Sequence, residues 1–310
     1  MKTKSSKIEH IISGLSRFLQ GKEKALRLAL VCFFSKGHLL IEDLPGLGKT
    51  TLAIGIARSL GLSFGRIQCT SDLLPTDITG LSIYNKNKSE FEFHAGPVFN
   101  NIVLCDEINR ATPKTQSALL EAMGEKQVTI EGRTYRLPEI FFVVATQNPK
   151  EQYGAFPLPE SQLDRFTMKI NIGYPPKEAE KEILRIGSTR EEIYSIEPAM
   201  EREEVADLQD KITKVVYVSE KILDYTVAII EATRRSEYLR AGLSTRGALS
   251  MITTAKTNAY FKGRDFVISE DVKELAGYTI PHRVLFGDEY ESVDKREIIT
   301  SIIEQIPTPA

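Results

Sequence analysis

Up to about residue 174 the chain alternates short, continuously apolar runs with segments whose apolar positions recur every three or four residues. The runs at 38–41, 66–68, 101–105, 140–146 and 168–172 read as strands. Their centres, such as Ile102-Val103-Leu104 and Phe141-Phe142-Val143-Val144-Ala145, lack the in-and-out alternation of a half-exposed sheet. Strands covered by helices on both faces read this way, and their alternation with helical segments predicts βαβ units and a parallel sheet. The segment 49–60 puts Leu52, Ile56 and Leu60 on one stripe and stops at Gly61, a residue suited to the left-handed position after a helix. A second helix is predicted from the capping residue Thr112 and Pro113, with Leu119, Ala122 and Met123 facing inward and Gly124 beyond its end.

Two segments interrupt this order as hairpins. One, 81–93, sets Ile83, Phe91 and Phe93 around a polar turn at 85–89; the other, 127–137, alternates around Glu131-Gly132. Tyr174-Pro175-Pro176 then breaks the pattern. From Lys177 onward, the apolar spacing in 222–230 and 249–260, and Ser269 followed by Glu270 and Asp271, predict helices joined by polar links. The expected architecture is an α/β unit over 1–174 followed by a smaller all-α unit over 175–310.

Composition narrows the function. Forty Lys and Arg against 42 Asp and Glu leave a formal charge of −2, which argues against a chain built to coat nucleic acid or an anionic membrane. No apolar stretch is long enough to span a bilayer, and the basic, polar start lacks the apolar segment of a secretory signal. Cys32, Cys69 and Cys105 are odd in number and widely spaced in sequence, so neither a disulfide framework nor a zinc site is expected, and a cytoplasmic setting fits. The four histidines are scattered, without partners at ligand spacing.

Chemistry concentrates at predicted strand ends. The run Glu42-Asp43-Leu44-Pro45-Gly46-Leu47-Gly48-Lys49-Thr50 follows a strand and opens a helix. Glycines there let backbone N–H groups face phosphate oxygens, the helix N-terminus adds partial positive charge, Lys49 reaches the β and γ phosphates, and Thr50 can bind Mg²⁺. Asp43 stands where the strict motif has its first glycine. The strand 101–105 runs into Asp106 and Glu107, suited to holding the Mg²⁺ shell and to polarising the attacking water respectively. Asn148, at the end of the next strand, can orient that water.

These residues resemble the MoxR family of AAA+ ATPases over nearly the whole length. The resemblance rests on LLIEDLPGLGKTTLA, on DLLPTDITG followed by FEFHAGPVF, on DEINRATPKTQSALLEAM, on ATQNPKEQYGAFPLPESQLDRF and on GLSTRGAL. Asp43 in place of the first glycine is usual there. The resemblance implies a P-loop AAA+ core with a parallel sheet flanked by helices and an all-α lid, using ATP and Mg²⁺. It places the ATP phosphates on Pro45, Gly46, Leu47, Gly48, Lys49, Thr50 and Thr51. It makes Asp106 and Glu107 the Walker B pair, Asn148 sensor 1, Arg165 an arginine finger for a neighbouring subunit, and Arg246 sensor 2. Adenine contact falls at Gly21 and Lys22, where the family usually reads Gly-Gln; Lys22 cannot accept the hydrogen bonds a glutamine can.

The resemblance also implies a homo-oligomeric ring, a hexamer, that remodels or activates protein clients with a partner bearing a von Willebrand factor A domain. The segments 72–99 and 127–137 then correspond to the helix-2 insert and pre-sensor hairpin, with Tyr84, Phe91 and Phe93 as candidate client grips. The competing readings are a nucleic-acid motor, against which the near-neutral charge and the acid-rich stretch 178–204 argue, and a magnesium-chelatase-like motor subunit of the same clade.

Overall fold

The computed structural model describes residues 2–149, 154–187, 190–290 and 293–309; positions 150–153 of the ATQNPKEQYGAF run lie outside them. The chain opens with helices α1 (Lys2–Ser16) and α2 (Glu23–Phe34), followed by β1 (Leu39–Glu42), α3 (Lys49–Ser59), β2 (Phe64–Gln68) and the short α4 (Pro75–Thr79). The hairpin β3 (Gly80–Asn85) and β4 (Glu90–Ala95) comes next, then β5 (Ile102–Asp106) and α5 (Pro113–Glu125). A second hairpin, β6 (Gln127–Ile130) and β7 (Arg133–Arg136), leads to β8 (Phe142–Gln147), α6 (Glu160–Leu163) and β9 (Met168–Ile170). Helices α7 (Lys177–Ile186), α8 (Arg202–Val215) and α9 (Glu220–Arg235) follow. A small antiparallel pair, β10 (Leu239–Ala241) with β11 (Leu285–Phe286), brackets α10 (Thr245–Phe261) and α11 (Ser269–Thr279), and α12 (Lys295–Glu304) comes last.

Five strands form one sheet in the order β2-β5-β8-β1-β9, all parallel. Their apolar centres have a simple cause. Leu39, Ile41, Ile102, Leu104, Phe142 and Val144 pack toward α1, α2 and α3, while Leu40, Val103, Cys105, Val143 and Ala145 pack toward α5. Both faces are therefore dry, and neighbouring positions along each strand are apolar for different partners.

The larger of the two cores does not stop at the sheet layer. Phe33 of α2 meets Phe142 of the sheet edge-on at 5.3 Å, while the adjacent Phe34 meets Phe261 of α10 at 5.8 Å. Gln209 of α8 donates to the Phe33 carbonyl at 2.8 Å. Helix α2 is thus a shared layer, with the sheet on one side and the C-terminal helices on the other.

Several local details depart from the sequence reading. The last strand ends at Ile170 rather than 172, because the Ile172 N–H is taken by the Asp43 carboxylate and not by a neighbouring strand. The strand at 140–146 begins at Phe142 instead, where its N–H finds the Asn101 carbonyl at 2.8 Å. Gly124 lies inside the last turn of α5, and Lys126 takes the left-handed cap with φ of 51°. Cys69, just past the end of β2, and Cys105 of β5, distant in sequence, lie buried with their sulfurs 3.0 Å apart as free thiols.

Both hairpins form. Glu131 and Gly132 each have positive φ, the geometry a two-residue type I′ turn demands. Phe93 stacks on Tyr135 with centroids 4.1 Å apart, joining the two hairpins. Tyr84 and Phe91 instead pair edge-on in solvent, 49% and 63% exposed. Among the described residues no helix is long and apolar enough to cross a membrane.

Candidate nucleotide-binding site

The turn between β1 and α3 needs its glycines. Gly46 has φ of +83° with open space where a Cβ would sit, and Gly48, the residue capping α3, has φ of +94°. Both values lie where side chains with a Cβ are strained. The turn leaves the first N–H groups of α3 at the mouth of a cleft of about 710 Å³. Residues 45–51 line its polar end with Arg66, Asp106 and Glu107; Phe18, Leu19, Pro175, Ile183 and Leu184 line the apolar end. Lys49 is buried, and its Nζ donates to the Asp43 carbonyl at 2.6 Å.

Parallel register brings the acids to the same edge. Gln68, Asp106 and Gln147 finish their strands beside one another or one strand apart, at the end where the glycine turn lies. Asp106 Oδ1 accepts the Thr146 hydroxyl at 2.7 Å, and Oδ2 accepts Arg66 Nη2 at 2.9 Å. The Thr146 Oγ1 in turn accepts the Glu107 N–H at 2.9 Å. Glu107 itself is left-handed, φ 58°, an arrangement that costs a residue with a Cβ on the order of 1 kcal/mol. Its carboxylate accepts from Gln68 Nε2 at 3.3 Å and Arg110 Nη1 at 3.0 Å.

The Thr50 hydroxyl and Asp106 carboxylate face one cleft and are hard oxygen donors. Among the described residues no three acidic, Cys or His side chains form a cage. Two such donors fit a cation like Mg²⁺, which keeps water and takes further ligands from phosphate.

The other expected residues sit elsewhere. Asn148 is buried just past β8, outside the cleft lining. Gly21 also lies outside it; its positive φ, 70°, turns the chain against Pro176, whose Cδ would be 2.5 Å from an added Cβ. Lys22 borders the cleft, but its Nζ is spent on the carbonyls of Ile172, at 3.4 Å, and Gly173. Burial lowers the Lys22 pKa, and the nearby Asp43 charge partly opposes this.

Arg165 and Arg246 also lie outside the cleft lining. Arg165 Nη1 donates to the Leu120 carbonyl of α5 at 2.7 Å, in space left by Gly124. Arg246 is 63% exposed and lies 3.9 Å from Asp164 Oδ2. Residues that the sequence reading passed over complete the site: Arg66, Gln68, Arg110 and Thr146 around the acids, Phe18 and Ile183 at the apolar end. The one signal for Arg66 and Gln68 was polarity at alternate positions of a strand bound for the phosphate edge.

A five-stranded parallel sheet with a lysine-bearing glycine turn after β1 and paired acids at the end of β5, one strand removed from it, defines a P-loop ATPase of the AAA+ class. Residues 38–168 match the ATPase family associated with various cellular activities, and 231–302 match the AAA lid domain. The protein named Chaperone MoxR1 from Mycobacterium tuberculosis (strain ATCC 25618 / H37Rv) is 39% identical, over 97% of this chain and 82% of its own. YeaC of Bacillus subtilis (strain 168), called an uncharacterized protein, is 42% identical over 97% of this chain and 93% of its own. A crystal structure from Cytophaga hutchinsonii, 39% identical, matches 99% of this chain and 96% of that one with a TM-score of 0.91. The chain belongs to the MoxR family of AAA+ ATPases, and its activity is ATP hydrolysis.

Proposed function

We propose that this chain works as a cytoplasmic, ring-forming, chaperone-like ATPase that remodels or activates protein clients. The observation that carries this reading is a separation of charges. Lys49, Asp106 and Glu107 meet in one cleft, whereas Arg165, on the Leu120 carbonyl, and Arg246, beside Asp164, lie outside its lining. A cleft whose lining includes neither Arg165 nor Arg246 is completed when a second copy supplies them. A hexameric ring satisfies every site.

In this mechanism the glycine turn and Lys49 hold the phosphates, with Thr50 and Asp106 holding Mg²⁺, which screens the phosphate oxygens when bound. Glu107 takes the proton of the attacking water, and Asn148 orients that water. Arg165 from the neighbour stabilises the charge that develops on the γ-phosphate, its planar fork donating several hydrogen bonds. The apolar end of the cleft takes the adenine, with Phe18 and Ile183 as its walls. The exposed Tyr84 and Phe91 on the first hairpin supply the client contact. A von Willebrand factor A domain protein is the proposed partner, by family resemblance.

The test is Glu107→Gln. Loss of the base is expected to cut hydrolysis about 10²–10⁴-fold while ATP still binds, and polypeptides trapped on the ATP-loaded ring are identified by mass spectrometry. Stimulation of turnover by DNA, with a steep salt dependence, and no trapped polypeptide would replace this reading by the nucleic-acid motor.

A further inference from the structure

The segment between β9 and α7, residues 171–176, is held from two sides at one place. The Asp43 Oδ2 accepts the N–H of Ile172 at 2.6 Å and of Gly173 at 2.7 Å. Lys22 Nζ donates to the carbonyls of the same two residues. Every hydrogen-bonding group of this dipeptide is therefore gripped by one of two buried charges of opposite sign. The other Asp43 oxygen accepts the Leu44 N–H at 3.2 Å, and the Asp43 carbonyl accepts Lys49 Nζ. Asp43 is thus bonded at once to the linker and to the lysine of the phosphate loop.

What the linker carries differs from the rest of the helical region. Helix α7 has no buried side chain among those described, and Leu184 is 80% exposed. Yet Ile183 and Leu184 line the apolar end of the cleft. By contrast α8, α10 and α11 contribute to the shared core. Helix α7 is therefore the helical element least anchored in that core, and it follows directly on the gripped dipeptide.

We infer that Asp43 and Lys22 are positioning residues that clamp the 172–173 linker and transmit phosphate occupancy to α7. A phosphate that draws Lys49 Nζ from the Asp43 carbonyl changes the bonding of the residue that holds Ile172 and Gly173. Aspartate serves at this position because a glycine would leave both N–H groups of the linker unpaired in a buried place. The inference rests on the proposed ATPase cycle and names the residues that couple it to movement of α7.

The experiment places spin labels at Lys181→Cys on α7 and Glu139→Cys on the core, with the three buried native cysteines left in place, and dilutes labelled chains among unlabelled ones. Distances are read without nucleotide, with ADP, and with a non-hydrolysable ATP analogue and Mg²⁺. The unaltered clamp should give a distance that shifts with the analogue. Asp43→Ala should bind a fluorescent ATP analogue within about threefold of normal, show no nucleotide-dependent shift, and lose kcat about tenfold to a hundredfold with little change in KM. Asp43→Asn, which keeps an acceptor oxygen for the linker, should recover part of both. Should Asp43→Ala fail to fold, Lys22→Met cuts the carbonyl side of the clamp and is read in the same way. A static α7 in the otherwise unaltered chain overturns the proposed movement itself. A nucleotide-responsive α7 with normal kcat in the Asp43→Ala or Lys22→Met chain overturns the clamp alone.

Discussion

Arg283 Nη1 donates to Asp164 Oδ1 over 2.9 Å, where the polypeptide after α11 meets the segment leading into β9. The arginine is nearly inaccessible, and burial lowers its pKa to about 10 against the pull of Asp164. It also holds the Phe166 carbonyl and the Ser250 hydroxyl. Arg283→Met removes every one of these donors and leaves a part-buried carboxylate behind, so unfolding free energy should fall by about 3–5 kcal/mol. Urea titration checks this. A variant as stable as the parent would show that the pair does not hold the two layers together.

Arg165 and Lys49 belong to one active site but to different copies in the proposed ring. Lys49→Ala and Arg165→Ala should each lower turnover about 10³-fold or more. Mixed, they should regain activity, because a ring pairs the intact loop of one variant with the intact arginine of the other. Phosphate release across mixing ratios is the measurement, and a flat line at zero would place Arg165 in its own chain's site or nowhere in it.

Gly124 separates stability from activity. It sits in the last turn of α5, where alanine is favoured over glycine by about 1 kcal/mol, but an added Cβ would overlap the guanidinium of Arg165. Gly124→Ala should therefore melt no lower than the parent while its turnover drops about tenfold or more, the arginine being displaced by an ångström or so. Unchanged turnover would mean that the resting place of Arg165 has no bearing on where it acts.

His38 should make the fold acid-sensitive. Its Nδ1 accepts the Val143 N–H at 3.0 Å. Burial depresses its pKa to about 4, opposed by the Met123 backbone and assisted by the charge of Lys126. A folded pKa below the unfolded value of about 6.5 means that this stabilisation is complete above pH 6.5 and is lost as pH falls toward 4. The full effect is about 3 kcal/mol. His38→Gln keeps an acceptor without the titration, so its loss of stability between pH 7 and pH 4.5 should be smaller than the parent's by a measurable part of that amount.

What the sequence disclosed, and what it withheld, follows from distance along the chain. The phosphate loop is nine consecutive residues whose glycines and lysine act locally, and Asp106-Glu107 are adjacent at a strand end; local patterns of this kind are readable. The parallel sheet was legible because burial on both faces leaves no alternation. Hidden were the contacts made only by folding: Arg66 against Asp106 across 40 positions, Lys22 against Gly173 across 151, and Asp43 against Ile172 across 129. Asp43 looked like a missing glycine, since nothing nearby in sequence shows that its partner is the linker. The strand end at 170 was missed for the same reason.

Helix α2, lying between the sheet and α10, has a thermodynamic consequence. With Phe33 committed to one side and Phe34 to the other, neither side can unfold and leave the other's apolar face dry. Calorimetry should register one cooperative transition for the chain, and a nucleotide confined to the cleft should raise the melting temperature of the distant α9 and α12 as much as that of the strands beside it. At a concentration of one hundred times its dissociation constant that ligand adds about 2.7 kcal/mol, and through α2 the whole polypeptide receives it.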